Sequence, residues 1–169
     1  QQTIIEDYAE TEHFTTAFAT EQNRKFKYPG KQALRQDVAN RIIKHGGKGK
    51  LLDVGCGDGH FLDIGVQNGF DCYGVEPTPA VAEYAAQHVD AQITAGNYEK
   101  ELFPESTFDV ITFIQVLEHI PAPITVLETA RYHLRPGGLL VIEVPSIHSP
   151  HFLLYEWTKI KWFVRPPKG

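Results

Sequence analysis

The sequence predicts an α/β protein built on a doubly wound, mostly parallel sheet, and three observations carry that prediction. Strand-like apolar runs near 50–55, 71–76, 91–95, 110–114 and 139–144 alternate with helical patterns. Helical crossovers between successive strands imply parallel pairing with right-handed connections. Finally, Leu51-Leu52-Asp53-Val54 runs straight into Gly55-Cys56-Gly57-Asp58-Gly59 and then a short amphipathic segment. That is the order of a buried strand, a tight turn and a helix start.

The elements follow in order. Residues 1–32 are polar and mixed with scattered aromatics (Tyr8, Phe14, Phe18, Phe26, Tyr28), and an N-terminal helical cap is expected over 1–48. Leu34, Val38 and Ile42, with Ala39 and Ile43 beside them, form one helical face, and Gly46-Gly47 ends that helix. A core domain is expected over 49–146. In it, Thr78 and Pro79 are a natural N-cap and first residue for a helix at 79–88. The third strand is weakly marked. Val110–Ile114 is continuously apolar, which predicts a central, buried strand. Ile124, Leu127, Arg131 and Leu134 line one side of the next helix, and Leu139–Val144 is the fifth strand. Residues 147–169 form a C-terminal aromatic segment. In it, Phe152–Val164 reads as an amphipathic helix with Leu153, Trp157, Ile160 and Val164 on one face.

Composition narrows the class. At 169 residues, with 42% hydrophobic and 22% charged side chains, the chain is sized for one soluble domain with a sizeable core. A net charge of −5 argues against broad nucleic-acid binding. No run of 18 apolar residues occurs, so no membrane span is expected, nor is a secretory leader. Two cysteines do not make a disulfide framework, and a cytoplasmic location is expected. The chain starts at Gln1 and holds no methionine, so either trimming or the loss of modified methionines from the sequence is expected.

The glycine turn points to a nucleoside. Three glycines at alternate positions leave no Cβ on one side, so a flat group can lie against the backbone. A carboxylate, Glu76, then closes the next strand-like run, 17 residues after Gly59. The dinucleotide fingerprint needs G-x-G-x-x-G with a pyrophosphate at the helix N-terminus. Here the pattern is G-x-G-x-G, with His60 at the third-glycine position and the negative Asp58 inside the loop. A carboxylate disfavours a pyrophosphate but favours a cation. S-adenosylmethionine (SAM) carries a sulfonium, an ammonium and no phosphate.

Four segments together resemble the class I SAM-dependent methyltransferases, in the broad group that includes the ubiquinone-biosynthesis type O-methyltransferases. They are Leu51–Leu62; Tyr73-Gly74-Val75-Glu76-Pro77; Ala95-Gly96-Asn97-Tyr98 with Phe103–Val110; and Val116-Leu117-Glu118-His119-Ile120 followed by Leu134–Leu140. The resemblance covers roughly residues 50–145. It implies a Rossmann-like fold with SAM as cofactor and S-adenosylhomocysteine (SAH) as product. That fold carries two further strands after the fifth, closing with an antiparallel edge, and these C-terminal strands are expected to be missing here.

The resemblance also implies roles for single residues. Asp53, Gly55, Cys56 and Gly57 would surround the methionine portion of the cofactor. Glu76 would accept hydrogen bonds from both ribose hydroxyls, a task suited to a two-oxygen acceptor. Pro77 would lie against the adenine, and Asn97, where the family usually has Asp, would accept from the adenine amino group, with Tyr98 beside it. Gln115 would offer its backbone carbonyl to the cofactor's ammonium. Cys56 is not read as a nucleophile, because methyl transfer from SAM needs no covalent enzyme intermediate and a small buried residue suits the turn.

Glu118-His119 leaves three uses open: general base, metal ligand or loop-fixing hydrogen bonds. Some relatives add an upstream Glu and bind a divalent metal, but Gln115 occupies that position, so no metal is expected and Glu118 and His119 are only weak candidates. The implied reaction is direct displacement, with a substrate atom attacking the methyl carbon in line with the departing thioether. An oxygen nucleophile would need a base, for which His119, His148 and His151 are candidates. A small-molecule acceptor is expected, with O-methylation favoured. The aromatic segment could line an apolar pocket or cover the sheet, and Arg24, Lys25, Lys27 and Lys31 could meet an anionic substrate or form a solvated face. Two other classes stay open: a catalytically silent SAM-binding module and a nicotinamide-dependent oxidoreductase.

Overall fold

The computed structural model describes residues 29–145 and 159–164, with side chains for residues 32–145. The N-terminal aromatics and basic residues, His148, His151 and residues 146–158 lie outside the described residues.

A six-stranded sheet runs in the order β3-β2-β1-β4-β5-β6. Helix α1 (Pro29–Lys44) precedes β1 (Lys50–Val54), and α2 (His60–Gln67) leads to β2 (Asp71–Glu76). Helix α3 (Pro79–His88), β3 (Gln92–Ala95), β4 (Phe108–Ile114), α4 (Pro123–His133), β5 (Leu134–Pro145) and β6 (Lys159–Val164) complete the order. The first five strands pair in parallel. The chain winds outward from β1 to β3, then crosses back to β4, which pairs directly with β1. The carboxyl ends of β1 and β4 therefore flank the switch point where such sheets bind ligands.

Alternating side chains on each strand fill two cores. Leu51 and Val110 face α1 and α2, packing with Val38, Ala39, Ile42, Phe61, Leu62 and Ile64. Their neighbours Leu52, Val54, Ile111 and Phe113 face the other way, onto Ala130 and Leu134. This two-sided burial explains why β1 and β4 read as continuous apolar runs rather than alternating ones.

Several expectations are corrected. Residues 159–164 form an antiparallel strand, pairing Leu140 with Val164 through Pro145 with Lys159, and not the tail of a helix. An antiparallel edge is thus present in the chain, where none was expected. A run such as Lys159-Ile160-Lys161-Trp162-Phe163-Val164 suits either periodicity when it is this short, and the open edge of β5 supplies backbone partners that decide for a strand. Helix α4 buries Thr129, Ala130 and His133; of the expected stripe, Leu127 and Leu134 join the core, whereas Ile124 stays 69% exposed and Arg131 is exposed too. Thr78 occupies the N-cap of α3 without a side-chain cap bond; its carbonyl accepts from the amides of Val81 and Ala82. Strand β5 also begins earlier than expected, at Leu134.

Candidate functional site

The three glycines of the turn share left-handed backbone but do different jobs. All have positive φ: 70° at Gly55, 55° at Gly57 and 76° at Gly59. A Cβ on Gly55 would lie 2.5 Å from Val116, and one on Gly59 would lie 2.7 Å from Val89. Only Gly57 faces open space. The idea of one bare glycine face is therefore corrected: Gly55 and Gly59 are small for packing, and of the three Gly57 alone leaves its backbone open. The turn is fastened to β2, with the amides of Gly55 and Cys56 both donating to the Val75 carbonyl at 2.8 and 3.1 Å.

Glu76 ends β2 and is 7% exposed. One carboxylate oxygen accepts from the Gly57 amide at 3.0 Å and the other from the Thr78 amide at 2.9 Å. The carboxylate is thus held between the glycine turn and the start of α3. Each oxygen keeps a second lone pair for a ligand hydroxyl. Pro77 beside it is exposed.

Asp53 is buried on β1 and accepts from the Thr112 hydroxyl at 2.6 Å. Burial, opposed by that hydrogen bond and by Arg35, pushes its carboxyl up to about 7. Near neutral pH it is therefore poised between neutral and charged, and a cation above it would draw it to the ionised form. Cys56 is 7% exposed, its thiol faces Gly74, and burial pushes that thiol far above its ordinary range. Such a thiol is not a nucleophile at neutral pH.

Gln115, directly after β4, has φ 62°, and its amide donates to the Glu143 carbonyl at 2.8 Å. Its side-chain Nε2 is buried and makes no hydrogen bond among the described residues. Asn97 follows Gly96 after β3 and is exposed. The Tyr98 hydroxyl lies 2.7 Å from His133 Nδ1. The other imidazole nitrogen lies 3.0 Å from the Lys100 carbonyl, so Nε2 carries the proton and Nδ1 accepts from Tyr98. Glu118 and His119 sit exposed on a single 3-10 turn, and no group of three or more His, Cys, Asp or Glu suited to a metal occurs among the described residues.

Sequence reasoning missed a buried ion pair. Arg35 of α1 donates to Glu143 of β5 at 2.8 Å, with side-chain exposures of 11% and 1%. Arginine in the middle of an amphipathic helix reads as surface, and its partner lies 108 positions away. The one available signal was a glutamate inside the apolar run Leu139–Val144, which demands a buried partner. Two residues of the recognised motifs lie away from the strand carboxyl ends. Asp109, beside the amino end of β4, accepts from the Lys50 amide at 2.8 Å and pairs with Arg135 at 3.0 Å.

These features fit SAM: a turn with one open glycine, a tethered two-oxygen acceptor and a titratable carboxyl for a cation. A family model described as a methyltransferase domain matches residues 18–166. The chain belongs to the class I SAM-dependent methyltransferases. This methyltransferase domain is 34% identical over 101 residues to a ubiquinone biosynthesis O-methyltransferase of Histophilus somni, covering 54% of this chain and 42% of that protein. Among solved structures it resembles a SAM-dependent methyltransferase from Archaeoglobus fulgidus, with TM-score 0.63 and 21% identity over 77% of this chain and 60% of that one. It also resembles SAM-bound CalS10, an amino pentose methyltransferase from Micromonospora echinaspora, with TM-score 0.58 and 29% identity over 67% and 50% of the two chains. The methyltransferase domain spans about half the length of the curated relatives it matches. Its cofactor is SAM, and no helix among the described residues is long and apolar enough to cross a membrane.

Proposed function

We propose that the protein transfers a methyl group from SAM to an oxygen of a small-molecule acceptor by direct in-line displacement. The observation that carries this reading is Glu76, tethered by two amides beside the open Gly57 at the carboxyl end of β2. Glu76 takes the ribose hydroxyls, Asn97 the adenine amino group, and Pro77 the adenine face. Asp53 and the backbone of Gly55, Cys56 and Gly57 surround the methionine portion, and the Gln115 carbonyl takes its ammonium. Tyr98 serves this site indirectly, by anchoring the segment after β3 to His133. Bound there, the cofactor supplies an electrophilic methyl carbon.

The chain's own contribution is to fix that carbon against the acceptor and to keep water out. The name of the Histophilus somni relative supports an oxygen acceptor. His119, exposed after β4, and His148 are the candidates to take the acceptor's proton. The two free, buried cysteines accord with a reducing compartment, and we assign the protein to the cytoplasm.

Calorimetric titration with SAM and SAH tests the cofactor half of this reading, and transfer of a labelled methyl group tests the catalytic half. Micromolar binding of both with turnover supports it. Binding of both without turnover on any acceptor reduces the protein to a SAM-binding module.

A further inference from the structure

We propose that the side-chain amide of Gln115 donates a hydrogen bond to an oxygen of the methyl acceptor, which makes Gln115 a specificity-determining residue and places the acceptor beyond β4. This rests on the methyltransferase reading above and adds to it the position and chemistry of the second substrate.

Two independent observations single out Gln115. Its φ of 62° places a long side chain on left-handed backbone, a conformation held by the bond from its amide to Glu143 of β5. Its Nε2 is buried yet has no acceptor among the described residues. Strain and an unmatched buried donor are each unfavourable alone, and together at a strand's carboxyl end they mark a group prepared for a ligand.

The sheet order says which ligand. Along the carboxyl edge, Asn97 follows β3, Glu76 ends β2, Gly55 and Gly57 follow β1, and Gln115 follows β4. Neighbouring strands lie about 4.8 Å apart, so the edge is a ruler. Adenine at β3, ribose at β2 and the methionine portion over β1 bring the reactive end of the cofactor up to β4. Gln115 stands two strand spacings, about 10 Å, from Glu76, on the side where the acceptor must approach. An amide N–H pairs with a lone pair, which excludes an ammonium; with the oxygen acceptor proposed above, its partner is a carbonyl or a hydroxyl next to the attacking one.

The test uses the full chain with catechol, the simplest molecule that offers an attacking hydroxyl and a neighbouring oxygen, and aniline as the nitrogen counterpart. SAH affinity is measured by calorimetry, and the KM for catechol by labelled methyl transfer. Gln115→Leu and Gln115→Gly are both made, because glycine removes the donor while relieving the left-handed backbone. The expected result is a KM for catechol, read at saturating SAM, raised about tenfold in both variants, so that a change in cofactor affinity through the Gln115 carbonyl does not enter it. A tenfold loss of SAH affinity with unchanged KM overturns the proposal by assigning the amide to the cofactor. Unchanged KM and affinity overturn it too, as does wild-type transfer to aniline but not to catechol. Wild-type protein that binds no SAH instead fails the cofactor reading on which the proposal rests.

Discussion

Glu76 accepts from Gly57 and Thr78 before any ligand arrives, so in the proposed role its carboxylate would meet ribose already oriented. Hydrogen bonds to a charged group are worth about 1.5–3 kcal/mol each, and two of them set the cofactor's affinity over at least a hundredfold range. Glu76→Ala is therefore expected to lower SAH affinity more than about a hundredfold by calorimetry, while the folded circular dichroism spectrum is kept. Asp53 makes a different prediction. Its carboxyl ionises near 3.8 when unfolded and near 7 when folded. Between those values the native state holds a proton that the unfolded chain has released, so stability falls as pH rises from about 4 to about 7, by on the order of 4 kcal/mol. Denaturant titrations across that range should show this slope in the wild type and lose it in Asp53→Asn. Binding of cationic SAM near pH 6 should also release a proton, measurable as a buffer-dependent enthalpy.

At the scale of the element, the glycine turn separates folding from binding. Ala at position 57 meets no atom within 4 Å and bears only the left-handed backbone cost, about 1–2 kcal/mol. Ala at position 55 bears that cost and also collides with Val116, for at least about 3 kcal/mol in total. Gly57→Ala should therefore fold and bind SAH poorly, whereas Gly55→Ala should lose most of its stability in urea. The turn itself was legible from sequence because its spacing is local: an apolar strand, glycines at alternate positions and an acid at the next strand end. Which glycine faces open space was not legible, since Val116 and Val89 come from elsewhere in the chain. The same limit hid the buried face of α4. A helical stripe can be drawn through Ile124, but the residues that pack are those beneath which the sheet and the segment after β3 happen to pass.

Across the whole molecule, the winding order was readable because strands and helices alternate and each crossover has one hand. The antiparallel β6 was not, because a six-residue run takes its conformation from the edge it meets. Central β1 and β4 are paired on both sides, whereas β3 has four residues, none of them buried. Amide exchange should accordingly be slowest in Leu51–Val54 and Val110–Phe113 and at least about a hundredfold faster in β3, as local openings require less than global unfolding. The Arg35–Glu143 pair ties α1 to β5 across the sheet. Arg35→Ala leaves a buried carboxylate without its cation and should cost about 3–5 kcal/mol in a denaturant titration.

His133 has a consequence of its own. With one ring nitrogen given to Tyr98 and the other to Lys100, it offers no site to a proton donor or a metal from outside; it behaves as a rivet. The rivet joins the last turn of α4 to the segment that carries Asn97, although the two are remote in sequence. If Asn97 takes the adenine as proposed, the end of that helix becomes a remote adjustment for base recognition. A substitution there that never touches the ligand would then shift affinity for the adenine ring, leaving the proposed hold on ribose as it was.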